Sequence, residues 1–147
     1  MFFLKDLPTQ AMLDGYAARF TEMDPDAVAV ALARLRWASI LLRDLEAYFA
    51  KHGLGQTQFL ILMVIDREPD RETLLPSEIA DRLDISRPIV SNATRRLVDQ
   101  GLLTPVTTSG DARARPLTLT ADGHDRLAAL LPGYFNLIRD RMAQGAP

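Results

Sequence analysis

Arg87, Ser91 and Arg95 stand at i, i+4 and i+8, with Asn92 and Arg96 beside them, and no carboxylate interrupts the run before Asp99. On a helix this spacing puts the three on one stripe. The chemistry such a set can do is recognition of DNA. A guanidinium can grip guanine O6 and N7 together, a carboxamide can do the same for adenine N6 and N7, and all of them can meet phosphates. Ser86 and Pro88 open the same stretch and belong to the candidate contact set. Further on, Arg113 and Arg115 lie on or beside the segment Ser109-Gly110-Asp111-Ala112-Arg113-Ala114, whose glycine and aspartate suit a tight turn. A cation projecting from a narrow hairpin can enter the minor groove, where the potential of DNA is most negative. Asp111, two residues before Arg113, is placed to hold its guanidinium by a charge-assisted pair. Taken singly, each residue also fits an ordinary solvated face; the set points to DNA.

The elements that must position these residues read as follows. Ser77 is a good N-cap for a short amphipathic helix carrying Glu78, Ile79, Ala80 and Leu83. Leu83-Asp84-Ile85-Ser86 then breaks the helical period, with Asp84 where a left-handed residue is needed, a conformation aspartate tolerates better than most. Ser86 can cap a second helix from Arg87 to Gln100, with Pro88 in its first turn and Gly101 just past its end. Ile79, Ala80, Leu83, Ile85, Val90 and Ala93 supply the apolar set that packs the two helices at a steep angle, and Ala80 is small where they approach. This is a helix-turn-helix pattern. After Gly101 the period becomes alternating: residues 102–107 and 116–120 read as two strands joined by the arginine-bearing tip.

The stretch LLPSEIADRLDISRPIVSNATRRLVDQGLLTPVTTSGDARARPLTLTADG resembles the winged-helix core of the MarR family of transcriptional regulators. The resemblance runs from about Gly53 to Gly123, and its most specific part is the D-x-R wing followed by L-T-x-x-G. It implies a mainly α (α+β) fold: a winged helix-turn-helix with a two-stranded wing, and a helical dimerisation region built from both termini. It also implies a recognition helix that reads a palindrome, and often a small-molecule site between the two regions. Two departures stand out. Pro105 falls where the family commonly carries a basic strand residue. The recognition helix has adjacent arginines, Arg95 and Arg96, and the family's acidic residue near there is shifted to Asp99.

The flanking segments fit this division into residues 57–120 for the DNA-binding region and residues 1–56 and 121–147 for the dimerisation region. Met1 to Thr21 reads as an amphipathic arm with Met12, Leu13, Tyr16 and Phe20 at helical spacing. Asp24-Pro25 is an N-cap and N1 proline for a long helix reaching about His52. In that helix Val28, Leu35, Leu42 and Phe49 recur seven apart, a stripe that can bury against the chain itself or a partner helix. Thr57 can cap a buried helix, Gln58 to Asp66. From Ala121 a last helix carries Leu127, Leu130, Leu131, Tyr134, Phe135, Ile138 and Met142, and Pro132-Gly133 should kink or split it. The terminal helices hold more apolar surface than a domain of this size hides alone. Pairing with a second copy about a two-fold axis follows, the competing reading being a monomeric helical cap.

Composition bounds the rest. A chain of 147 residues is long enough for one proper core. It has no cysteine, which excludes disulfides, cysteine zinc sites and thiol-based redox sensing. No apolar run approaches the ~20 residues of a membrane span. Met1-Phe2-Phe3-Leu4 gives way at once to Lys5, Asp6 and Pro8, unlike a secretory signal. A cytoplasmic protein away from any membrane is expected. The formal charge is −2, unusual for a dedicated nucleic-acid binder. Between Ser86 and Pro116, however, Arg87, Arg95, Arg96, Arg113 and Arg115 face only Asp99 and Asp111, a local balance of +3.

Catalysis has no foothold. His52 and His124 are the two histidines, without metal-ligand spacing. No serine sits in a G-x-S-x-G context, and no glycine loop could cradle a phosphate. No metal or cofactor is expected. For an effector, Trp37 has Arg36 and Ile40 around it on the long helix, and Phe59 and Met63 lie on the helix that would cross it. An aromatic and a cation near a cleft could take a small aromatic or anionic ligand; equally, Trp37 is core and Arg36 snorkels to water. The whole reads as a homodimeric, sequence-specific regulator of transcription, a ligand-responsive repressor on double-stranded DNA. The competing reading is a winged-helix protein-interaction module that touches no DNA.

Overall fold

A computed structural model describes residues 4–107 and 115–145. Among these residues six helices, α1 (Gln10–Ala17), α2 (Pro25–Lys51), α3 (Gln56–Asp66), α4 (Pro76–Leu83), α5 (Arg87–Asp99) and α6 (Ala121–Ala143), accompany two strands, β1 (Leu103–Pro105) and β2 (Leu117–Leu119). The fold is mainly helical with one small antiparallel sheet, as the periodicities predict. None of these helices is long and apolar enough to cross a membrane. The chain forms two compact units, residues 1–47 with 135–147, and residues 48–134.

In the first unit, Thr9 caps α1 by accepting the Met12 N–H. Asp24 caps α2 by accepting the Ala27 N–H at 3.0 Å, with Pro25 at the first helical position, where its missing N–H costs nothing. The amphipathic arm is thus a two-turn helix, but of its apolar residues only Leu13 is buried; Met12, Tyr16 and Phe20 are exposed. Leu35 and Leu42 of the seven-residue stripe are exposed too, as are Phe135 and Met142. Arg141 donates to the Asp44 carboxylate.

The second unit holds the main core: Phe49, Phe59, Ile61, Leu62, Ile65, Leu74, Ile79, Leu97, Leu103, Leu127 and Leu130 are all fully buried. The rings of Phe49 and Phe59 stack at 4.3 Å, and Tyr134 lies against both. β1 and β2 pair with Leu103 opposite Leu119 and Pro105 opposite Leu117. Leu74, before α4, adds a bridge to the far side of Leu117, exchanging both backbone hydrogen bonds with it at 3.0 and 2.8 Å. The sheet is therefore anchored to the helix-turn-helix through one leucine pair.

Three local expectations need correction. α4 begins at Pro76, not after Ser77: Leu75 is its N-cap, and Ser77 lies inside the first turn. Leucine has no side chain to cap with, so the carboxylate of Glu78 reaches back to accept the Leu75 N–H at 2.8 Å, one half of a capping box. α3 likewise starts two residues earlier than a Thr57 cap would place it. Gly55 is its N-cap and Gln58 accepts the Gly55 N–H at 2.8 Å. Finally, Pro132 does not split the last helix, which runs unbroken from Ala121 to Ala143. Proline robs the carbonyl four residues back of its donor, and here both Pro132 and Ala128 are exposed, so water can satisfy that oxygen. Gly133 next to it lets Tyr48 approach, whose hydroxyl donates to the Leu130 carbonyl at 2.8 Å.

Candidate nucleic-acid interface

The turn between α4 and α5 is made by Asp84, the one non-glycine residue with positive φ among those described (φ 51°, ψ 46°). The Ile85 N–H returns to the Ala80 carbonyl at 3.2 Å, closing the end of α4. This single left-handed residue redirects the chain into α5, as its position predicts.

α5 is pinned from one side. Val90, Ala93, Thr94 and Leu97 are buried, and the Thr94 hydroxyl is absorbed locally by donating to the Val90 carbonyl at 2.8 Å. A helix so held must present its opposite face to solvent, and Ser86, Arg87, Pro88, Ser91, Asn92, Arg95 and Arg96 are all exposed. The structure brings these seven predicted residues onto one surface of one element. Ser86 is the N-cap by position, but its hydroxyl makes no capping hydrogen bond, contrary to expectation. The first turn of α5 contains no acidic residue, so the positive end of the helix dipole is uncompensated.

The cations of the two helices are treated differently. On and before α4, Arg82 makes a two-pronged contact with Glu68 at 2.6 and 3.1 Å. Arg71 donates to Glu78, which also holds Arg71 more firmly protonated than usual. On α5, no carboxylate among the described residues engages Arg87, Arg95 or Arg96. Of these two helices, α5 is therefore the one whose cations are open to an external anion, although the chain as a whole is slightly acidic.

The hairpin that follows is tied at its base. The Val106 N–H donates to the Pro116 carbonyl at 2.8 Å, and Thr120 links the hairpin's two ends, its hydroxyl donating to the Gly101 carbonyl at 2.6 Å and accepting from the Gly123 N–H at 3.0 Å. Arg115 is exposed just before β2. Asp111 and Arg113 lie outside the described residues. Pro105 is exposed at the end of β1.

The residues considered for an effector fall in two places. Arg36, Trp37 and Ile40 are half-buried on α2 in the first unit, and Trp37 Nε1 is buried without a hydrogen-bond partner among the described residues. Phe59 is fully buried in the aromatic core of the second unit, with Met63 half-buried on the same helix. One surface residue escaped the sequence reading: Ile89 is exposed on α5 among the polar set. Its displacement from the inward series 90, 93, 94 and 97 was the available signal.

Two helices joined by a left-handed aspartate, followed by a two-stranded hairpin, define a winged helix-turn-helix. The model of the MarR family matches residues 52–114, beginning just after α2 and taking in α3, α4, α5 and β1. Over these residues the chain is similar to the MarR family. It is 27% identical over 135 residues to the HTH-type transcriptional repressor YetL of Bacillus subtilis, covering 92% of this chain and 80% of that one. The fold matches that of AbsC, a MarR family transcriptional regulator from Streptomyces coelicolor, with a TM-score of 0.69 at 16% identity over 95% of this chain and 84% of that one. It also matches the Mycobacterium tuberculosis regulator MOSR in complex with DNA, with a TM-score of 0.60 at 24% identity over 75% and 77% of the two chains. A further match is a MarR family protein of the same organism in complex with salicylic acid, with a TM-score of 0.60 at 20% identity over 75% and 79%.

Proposed function

We propose that this chain is a sequence-specific DNA-binding regulator of transcription, a repressor acting as a homodimer on a palindromic operator in the cytoplasm. The observation that carries the reading is the exposed face of α5, where Arg87, Arg95 and Arg96 stand without carboxylate partners beside Ser91 and Asn92. On this reading α5 enters the major groove, and Arg113, held by Asp111, and Arg115 reach the flanking minor groove. Residues 1–56 and 121–147 pair two copies. Support for the pairing comes from the exposed Leu35, Leu42, Phe135 and Met142 of the first unit. The repressor named among its relatives supports the direction of regulation.

A small aromatic or anionic effector acts on the dimer in this reading, with Arg36, Trp37 and Ile40 of α2 as candidate contacts. The unpartnered indole N–H of Trp37 supports it, as does the salicylic acid complex of a structural relative.

The test is binding to duplexes recovered by selection from random-sequence DNA. Binding should weaken steeply with salt, the logarithm of affinity falling by roughly 0.9 per phosphate contact for each decade of salt. Arg95→Ala and Arg113→Ala should each lower affinity without lowering the melting temperature. A protein-interaction module would bind no selected duplex and would be indifferent to both substitutions.

A further inference from the structure

Ile89 is 48% exposed in the first turn of α5. One residue's rotation, about 100°, separates it from the fully buried Val90, which leaves it outside the inward stripe. Its neighbours on its own flank, at i+3 and i+7, are Asn92 and Arg96. The position gives the helix nothing: a β-branched residue at the third helical position supplies no cap, where glutamate or glutamine would. An apolar side chain held in water between a carboxamide and a guanidinium fits a partner that is anionic overall yet bears an isolated apolar group. The major groove of DNA is such a surface, because each thymine presents a C5-methyl there.

We infer that Ile89 is a specificity-determining residue that packs against a thymine C5-methyl in each half-site. The inference rests on the DNA-binding reading and sharpens it, since Asn92 and the arginines offer hydrogen bonds, whereas Ile89, beside the smaller Pro88, offers apolar contact. Burying the isoleucine branch against one methyl corresponds to about fourfold in affinity, and about fifteenfold when both half-sites of a dimer contribute.

The experiment uses the tightest duplex recovered by selection, with its thymines replaced by deoxyuridine at symmetry-related pairs of positions. Deoxyuridine keeps every hydrogen-bonding group and lacks only the methyl. For the wild-type chain, one pair of replacements should weaken binding by about fifteenfold. Ile89→Ala should bind the thymine duplex correspondingly less well and lose its sensitivity at that pair alone, whereas Ile89→Val should keep most of it. Thermal melts of the free variants should match the wild type, as expected for an exposed position. If the wild type binds tightly but tolerates every replacement, or if Ile89→Ala keeps the same methyl preference, the inference is overturned while the regulator reading stands. If the wild type binds no duplex at all, both fall.

Discussion

The Glu78 carboxylate caps α4 from within: one oxygen accepts the Leu75 N–H at 2.8 Å while the other takes a hydrogen bond from Arg71. The Leu75 amide first, and Arg71 second, hold this carboxyl below its ordinary value of 4.5. A carboxyl whose value is lowered by folding binds its proton more weakly in the native state, so it stabilises at pH values above 4.5 and that contribution fades as pH falls through the lowered native value. Glu78→Ala should lower stability at neutral pH by about 1 kcal/mol, as other lost caps do. The gap between the two melting curves should be constant from pH 6 to pH 8 and should narrow as the pH falls below 4.5. A gap that persists at the acid end would show that the carboxylate is not its source.

Asp84 sets the angle between α4 and α5 from a left-handed conformation that costs most residues about 1–2 kcal/mol. Asp84→Gly should therefore be tolerated or slightly stabilising and should keep DNA affinity. Asp84→Val, β-branched at positive φ, should lower stability by about 2 kcal/mol or more. Because the turn aims α5, the valine variant should also lose affinity for the selected duplex at temperatures where it is still folded. Equal stabilities for the two variants would mean that the turn is not held in this geometry.

Gly123 and Gly15 are both helical glycines with opposite surroundings. A Cβ at Gly123 would lie 2.2 Å from the Leu102 carbonyl oxygen, a backbone atom that has nowhere to go, whereas one at Gly15 meets nothing within 4 Å. Gly123→Ala should cost about 3 kcal/mol, at the upper end of overpacking changes. Gly15→Ala should stabilise α1 by about 0.5–1 kcal/mol through propensity alone. Chemical denaturation of the two variants checks both signs at once.

These positions also mark what was legible in the sequence. Asp84, the Asp24-Pro25 start of α2 and the polar face of α5 could be read because each depends on short-range geometry: a sign of φ, a cap, a period of 3.6. The start of α4 was misplaced because Glu78 does the capping, and serine at position 77 looks the part only if the chain is read forwards. The survival of α6 through Pro132 depends on that residue's facing water, which is a tertiary fact. The bridge from Leu74 to Leu117 joins residues far apart in sequence and leaves no local signature. Ile89 was passed over because apolar residues near a helix start are ordinarily assigned to the core.

Trp37 allows the effector to be sought directly, because it is the chain's sole tryptophan. Its Nε1 is buried without a partner among the described residues, and an unsatisfied buried donor costs about 1–3 kcal/mol. A bound anion accepting from that N–H would recover part of this, and the indole emission would report it. Benzoate, a small aromatic anion that does not emit in the tryptophan range, should change the emission saturably in the wild type. Trp37→Phe should weaken benzoate binding, measured by calorimetry, by about tenfold or more, the worth of one hydrogen bond to a charged group. The same substitution in a tryptophan that is only core would leave benzoate binding untouched and change stability instead. The two roles therefore separate on a single pair of measurements, a binding isotherm and a melt of the same variant.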